Sequence, residues 1–255
     1  MFVDTHCHIF KQYYKNVEEV IKRVEKNIII VNGINDETNK EVIKLCDKYN
    51  NVYGTLGIHP SEIEGINEDS LFFIEEYLSH PKIVGIGETG LDYYWTKDNK
   101  EKQKELFIKQ VKLAKKYNKA IVIHSRESIE DTYNILKKEY NNSGKIIMHC
   151  YSSSLEMAKK FINLGAMIGI GGVVTYKNAN KIVDIVRNVD LNKILLETDS
   201  PFLSPEPNRG KENEPSNIEF IGKKIAEIKN ISVEEVYKTT TANAVRQFDL
   251  DVDLC

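Results

Sequence analysis

Residues 82–90 read KIVGIGETG, and two folds compete for them. The run GIGETG, 85–90, matches the G-x-G-x-x-G pattern by which a dinucleotide-binding sheet opens a helix onto a pyrophosphate. Its neighbours decide against that reading. LDYYWT follows directly, and a helical pattern starts only around Asn99, so no helix amino end meets the glycines. Glu88, inside the loop, would also repel a phosphate. The segment reads instead as a buried parallel strand, apolar and ended by glycine, whose small residues let the backbone crowd a site at Glu88.

Seven more stretches have the same character. They are MFVDTHCH (1–8), NIIIVNG (27–33), NVYGTLGIHP (51–60), KAIVIHS (119–125), KIIMHC (145–150), AMIGIGG (166–172) and KILLETDSP (193–201). Between them lie amphipathic runs such as DETNKEVIKLCDKY, KEKQKELFIKQVKLAKKY and ANKIVDIVRN, with apolar residues at helical spacing. Strand follows strand after one βα unit, roughly 30 residues. Eight units in 255 residues predict an α/β fold, a (β/α)8 barrel forming one domain over 1–255. ISVEEVYKTTTANAVRQF reads as a further helix capping the end. An open doubly wound sheet is the rival, disfavoured by eight strands with no sign of a second domain. A barrel places its chemistry at the carboxyl ends of the strands.

Composition bounds the function. With 41% hydrophobic and 29% charged residues the chain can bury a sizeable core. A net charge of −3 excludes a strongly cationic nucleic-acid binder, though not a nuclease whose metal supplies positive charge locally. The four cysteines, at 7, 46, 150 and 255, form no CxxC pair, which fits a reducing compartment. Charges begin at Asp4, leaving no signal-peptide pattern, and the apolar runs are too short for a bilayer. The expected location is the cytoplasm, with no membrane contact.

The histidines fall at the strand ends. His6 and His8 close the first strand, His59 the third, His124 the fifth and His149 the sixth; only His80 is off the pattern. Glu88 closes the fourth and Asp199 the eighth. Residues two apart on a strand share a face, so His6 and His8 point inward together while Cys7 faces the helices. The same alternation turns Cys150 away from His149's direction. A single histidine is more often a satisfied core or surface group, but five at one mouth with two acids form a cluster suited to divalent metal. His6, His8, Glu88, His124, His149 and Asp199 exceed the needs of one tetrahedral ion. Two ions are therefore expected, with Glu88 bridging them and Asp199 holding an attacking water.

Taken together, DTHCH, GIHP, GETGLDYY, IHSRES, HCYSSS and ETDSP resemble, in order and over nearly the whole chain, the TatD-like metal-dependent deoxyribonucleases of the amidohydrolase-type barrels. The resemblance implies a two-metal hydrolase of DNA phosphodiester bonds, with Zn, Mg, Mn or Co as metal. It implies His6, His8, Glu88, His124, His149 and Asp199 as ligands, with Asp199 and Glu88 catalytic. It places His59 and Arg126 near the substrate phosphate. Asp92 is a further substrate or supporting group, and Arg209, in PEPNRGKENEP (205–215), could meet a phosphate or lie in a solvated turn. Trp95 could stack on a base or pack on the rim. The chain departs from the family in reading HCYSSS where many relatives have HCFSGS, which bears on contacts at Tyr151 and Ser153. DNA bound without sequence specificity is the expected substrate, by a monomer with no stable protein partner. Two other reactions fit the barrel, small ester or amide hydrolysis and aminoacyl-tRNA deacylation. Relatives of the first kind often bridge their metals with a modified lysine on strand four, where this chain has Glu88. A purely structural metal domain is disfavoured, because such sites tend to be closed and cysteine-rich.

Overall fold

The computed structural model describes residues 1–66, 68–95, 98–140 and 144–252. Cys255 lies outside them. Eight parallel strands follow in sequence order: β1 (Val3–Cys7), β2 (Ile28–Asn32), β3 (Val52–Leu56), β4 (Ile83–Asp92), β5 (Ala120–Arg126), β6 (Ile146–Met148), β7 (Met167–Ile170) and β8 (Ile194–Leu196). Helices alternate with them: α1 (Val17–Lys22), α2 (Asp36–Lys48), α3 (Glu68–Tyr77), α4 (Lys100–Lys116), α5 (Ile129–Tyr140), α6 (Leu155–Asn163), α7 (Asn180–Asn188) and α8 (Ile218–Lys229), with α9 (Val233–Phe248) last. This is the expected (β/α)8 barrel.

β8 returns to β1 with little ladder of its own, and side chains complete the seam. One parallel bridge joins Cys7 to Ser200. The His8 amide donates to the Ser200 carbonyl at 2.7 Å, and the Asp199 amide to the His6 carbonyl at 2.9 Å. Asp4 accepts from the Thr198 amide at 2.9 Å and the Thr198 hydroxyl at 2.6 Å. Burial pushes the Asp4 carboxyl up to about 8 despite those bonds.

The strands bury both faces, as a helix-covered parallel sheet must. Inward residues such as Val3, Ile30, Val84, Val122 and Leu195 fill the barrel, and Ala244 and Phe248 of α9 join them with Leu250. The Tyr53 hydroxyl donates to the Asp251 carbonyl at 3.2 Å, so the chain after α9 closes the amino-terminal end. The opposite mouth is left open. Outward residues, Cys7, Ile29 and Ile121 among them, pack with the helices, as expected for Cys7.

Strand ends differ from expectation: β1 stops at Cys7 and β3 at Leu56, so His8 and His59 lie beyond the strands they were expected to close, His59 capping a short 3-10 turn at Pro60–Gly65. β4 runs two residues further, to Asp92, so Glu88 lies inside a strand. Its ladder to β5 slips between Ile86 and Thr89, a bulge that re-aims the side chain between them. Gly90, at φ +142, lies so close to β5 that a Cβ would strike the His124 carbonyl. β6 and β8 are short, and His149 and Asp199 lie in the loops beyond them. Each loop contains a left-handed residue, Cys150 (φ +43) and Asp199 (φ +55). Strand alternation therefore does not apply to Cys150, which lines the same cavity as His149. No helix among the described residues is long and apolar enough to cross a membrane.

Candidate metal centre

Glu88 is the hub of the open mouth. Its Oε2 lies 3.3 Å from Nε2 of His6 and 3.3 Å from Nε2 of His8. Its Oε1 faces the other way, 3.1 Å from His124 Nδ1 and 3.9 Å from His149 Nε2. Asp199 Oδ1 closes the cluster at 3.6 Å from His149, 3.7 Å from His8 and 3.9 Å from His6. Six residues from five strands or their ends, distant in sequence, thus meet in one buried space.

Second bonds fix the ring orientations. His8 Nδ1 donates to the Asn32 carbonyl at 2.9 Å, leaving Nε2 as the lone-pair face. His124 Nε2 meets Asp92 Oδ2 at 2.9 Å, and the other Asp92 oxygen accepts from the amides of Tyr94 and Trp95. His149 Nδ1 lies 3.1 Å from Glu197 Oε1, which also accepts from the Cys150 amide. Asp92 thus braces His124 by a hydrogen bond and Glu197 lies in charge contact with His149, an arrangement like the one that orients histidine ligands in metal sites.

Charge in this space is unbalanced by the carboxylates. Burial works against an ionised Glu88, yet the imidazoles of His59, His6 and His124 hold its carboxyl well below the usual range. Burial also opposes charge on His124 and His149, but the carboxylates around them push the first up to about 9 and the second to about 10. Burial raises Asp199 to about 6, with His149 and His8 pulling back. The protons on His124 and His149 occupy positions where divalent cations would do the same electrostatic work. The donor set fits: His6, His8 and Glu88; His6, His149 and Asp199; and, on the other side of Glu88, His59, Glu88 and His124 each bring three ligand atoms within 4.8 Å of one another.

His59 stands at the edge in a different state. Its Nδ1 accepts from the Ser61 amide at 3.1 Å, so Nε2 carries the hydrogen and points at Glu88 Oε1 across 3.6 Å. Burial lowers it to about 4, which keeps it neutral. It is a hydrogen-bond donor aimed into the cavity. The cavity, of about 550 Å3, is also lined by Arg126, Ser125 and Phe202. Arg126 rests its guanidinium 3.8 Å from the centre of the exposed Tyr94 ring.

Not every singled-out residue reaches this cavity. Asp92 is 2% exposed and turned to His124, so its place is behind that imidazole. Arg209 stacks on Tyr176 at 4.2 Å and is absent from the cavity lining. The loop that carries it is nonetheless tied down, because buried Asn213 donates to the carbonyls of Thr198 and Phe202. His80 pairs with Asp47 at 3.0 Å on the far surface. Glu197 escaped the sequence reading although ETDSP contains it; its two-residue offset from Asp199 was the available signal.

Comparison with known proteins finds relatives over nearly the whole chain. The family model described as TatD related DNase matches residues 3–249. The chain is 40% identical to the uncharacterized metal-dependent hydrolase YabD of Bacillus subtilis over 98% of its own length and 100% of the relative's. It is 32% identical to the uncharacterized metal-dependent hydrolase YcfH of Escherichia coli K12, with 98% and 96% covered. Among solved structures it is similar to the TatD homologue YjjV of E. coli K12, at a TM-score of 0.91 and 30% identity over 98% of both chains.

Proposed function

This chain belongs to the TatD-related DNase family of metal-dependent hydrolases, and from that premise we propose that it cleaves phosphodiester bonds of DNA at two divalent cations gathered around Glu88. The observation that carries the reading is the division of Glu88, one oxygen toward His6 and His8 and the other toward His124. A carboxylate so placed is suited to bridging. His6, His8, Glu88 and Asp199 would hold one cation, and Glu88, His124 and His149 the other. Zn, Mn, Co and Mg all accept such nitrogen and oxygen donors. Bound cations supply Lewis-acid charge and lower the pKa of water from 15.7 toward about 7.

The chain's own residues supply the rest. Asp199, whose Oδ1 faces the cavity 3.7 Å from His8 and 3.6 Å from His149, is placed to take a proton from an attacking water. The Nε2–H of His59 and the guanidinium of Arg126 face the same cavity and can answer negative charge building on the phosphoryl oxygens. Asp92 and Glu197 hold His124 and His149 in the orientations just described.

A panel of metals against substrates tests the reading. Purified protein, stripped by chelator and reloaded with each metal, would be assayed on single-stranded, duplex and abasic DNA and on small esters. The expected result is metal-dependent DNA cleavage that is lost in Glu88→Ala. Activity confined to small esters would leave the barrel intact and end the nuclease reading.

A further inference from the structure

Beside the main cavity a second cleft, of about 310 Å3, opens between the loops that follow β5, β6 and β7. The two share Ser125, Arg126, His149 and Ser152, so they are one continuous surface with two seats. The second seat adds Ser153, in the departure HCYSSS, and Lys181 on its far wall. Arg126 leans on the Tyr94 ring, and it and Lys181 have no ion-pair partner among the described residues. Lys181 sits in the first turn of α7, which carries no acid. A cation there works against the helix dipole, so helix stability does not account for it. Glu127, exposed, is the single acid in the lining.

Among the described residues Arg126 is the one lysine or arginine lining the main cavity. A polyanion engaged there meets its next cation in the adjoining cleft. We propose that this cleft seats a second substrate phosphate, the one beside the phosphodiester that is cut, at Lys181 with the hydroxyls of Ser152 and Ser153 as donors, while Arg126 stays with the phosphate in the main cavity. The proposal rests on the phosphodiesterase reading above. A phosphate contact of this kind contributes affinity and salt dependence without base specificity.

The test compares dinucleotides that differ only in a flanking phosphate: TpT, pTpT and TpTp, with the metal-loaded protein. One flanked form is expected to have a KM lower than that of TpT by about fivefold, the scale of one net hydrogen bond. Lys181→Ala should erase that preference in KM with kcat little changed, and Lys181→Arg should restore it. No preference in the wild type, or one that survives Lys181→Ala, overturns the proposal. If the wild type cuts neither the three nor longer DNA, the phosphodiesterase reading fails by itself; if it cuts longer DNA alone, that reading stands. The cleft is then judged by anisotropy of a labelled single-stranded oligonucleotide in chelator. There Lys181→Ala must reduce the salt slope of log Kd by about 0.7; an unaltered slope refutes the cleft.

Discussion

Glu197 and Asp92 touch no cavity, yet the geometry makes each answerable for one imidazole. Glu197→Gln should weaken cation binding by about 10–100-fold, as loss of a carboxylate behind a histidine ligand does. Calorimetric titration with Mn or Zn would read this, and an unchanged affinity would remove Glu197 from the account. Asp199→Asn should lower turnover by about 10²–10⁴ while cations are partly retained; near-normal rates in that variant would mean the base lies elsewhere. At this scale the sequence is legible where a side chain's role follows from strand parity. His6 and His8 share a face and meet at 3.1 Å, as spacing predicts. Cys150 is misplaced by the same rule, because its left-handed backbone ends the alternation. Glu197 lies on the same parity as Asp199, but its partner, His149, is 48 positions earlier in the chain (197 − 149), and no local pattern announces a pairing at that distance.

Elements divide the labour between the two ends of the barrel. α9 closes the amino-terminal end with Phe248, 2% exposed, among the inward strand residues. Phe248→Ala should cost about 3–5 kcal/mol by denaturant unfolding while kcat is kept, since the active face is opposite. A loss of activity at unchanged stability would contradict that division. Gly169 works at the other end. A Cβ there would collide with the Glu197 carboxylate, so Gly169→Ala should mimic Glu197→Gln in cation affinity. Strand order and the helix between each pair were readable from apolar runs and their spacing, because those patterns are local. The exact strand ends were not: the bulge in β4 is a matter of its register with β5, where Gly90 passes close to the His124 carbonyl, and the left-handed residues after β6 and β8 are a cysteine and an aspartate rather than the glycine that would announce such a turn.

For the whole molecule, charge links protons to cations. His124 and His149 are raised to about 9 and about 10, so each stabilises the chelated fold fully below its ordinary value near 6.5 and loses that contribution as pH climbs through the raised one. Cations must displace those protons, so apparent affinity should rise with pH from 6.5 to 9, and binding at pH 7 should release protons. Titrations in two buffers of different ionisation enthalpy would show the release; identical heats would deny it. The most direct test of the central claim, two cations bridged by Glu88, is metal content at equilibrium dialysis against Mn or Zn. The account predicts two per wild-type chain and fewer than one tightly held by Glu88→Ala. A wild-type chain that binds none, or a Glu88→Ala chain that still holds two, would contradict it.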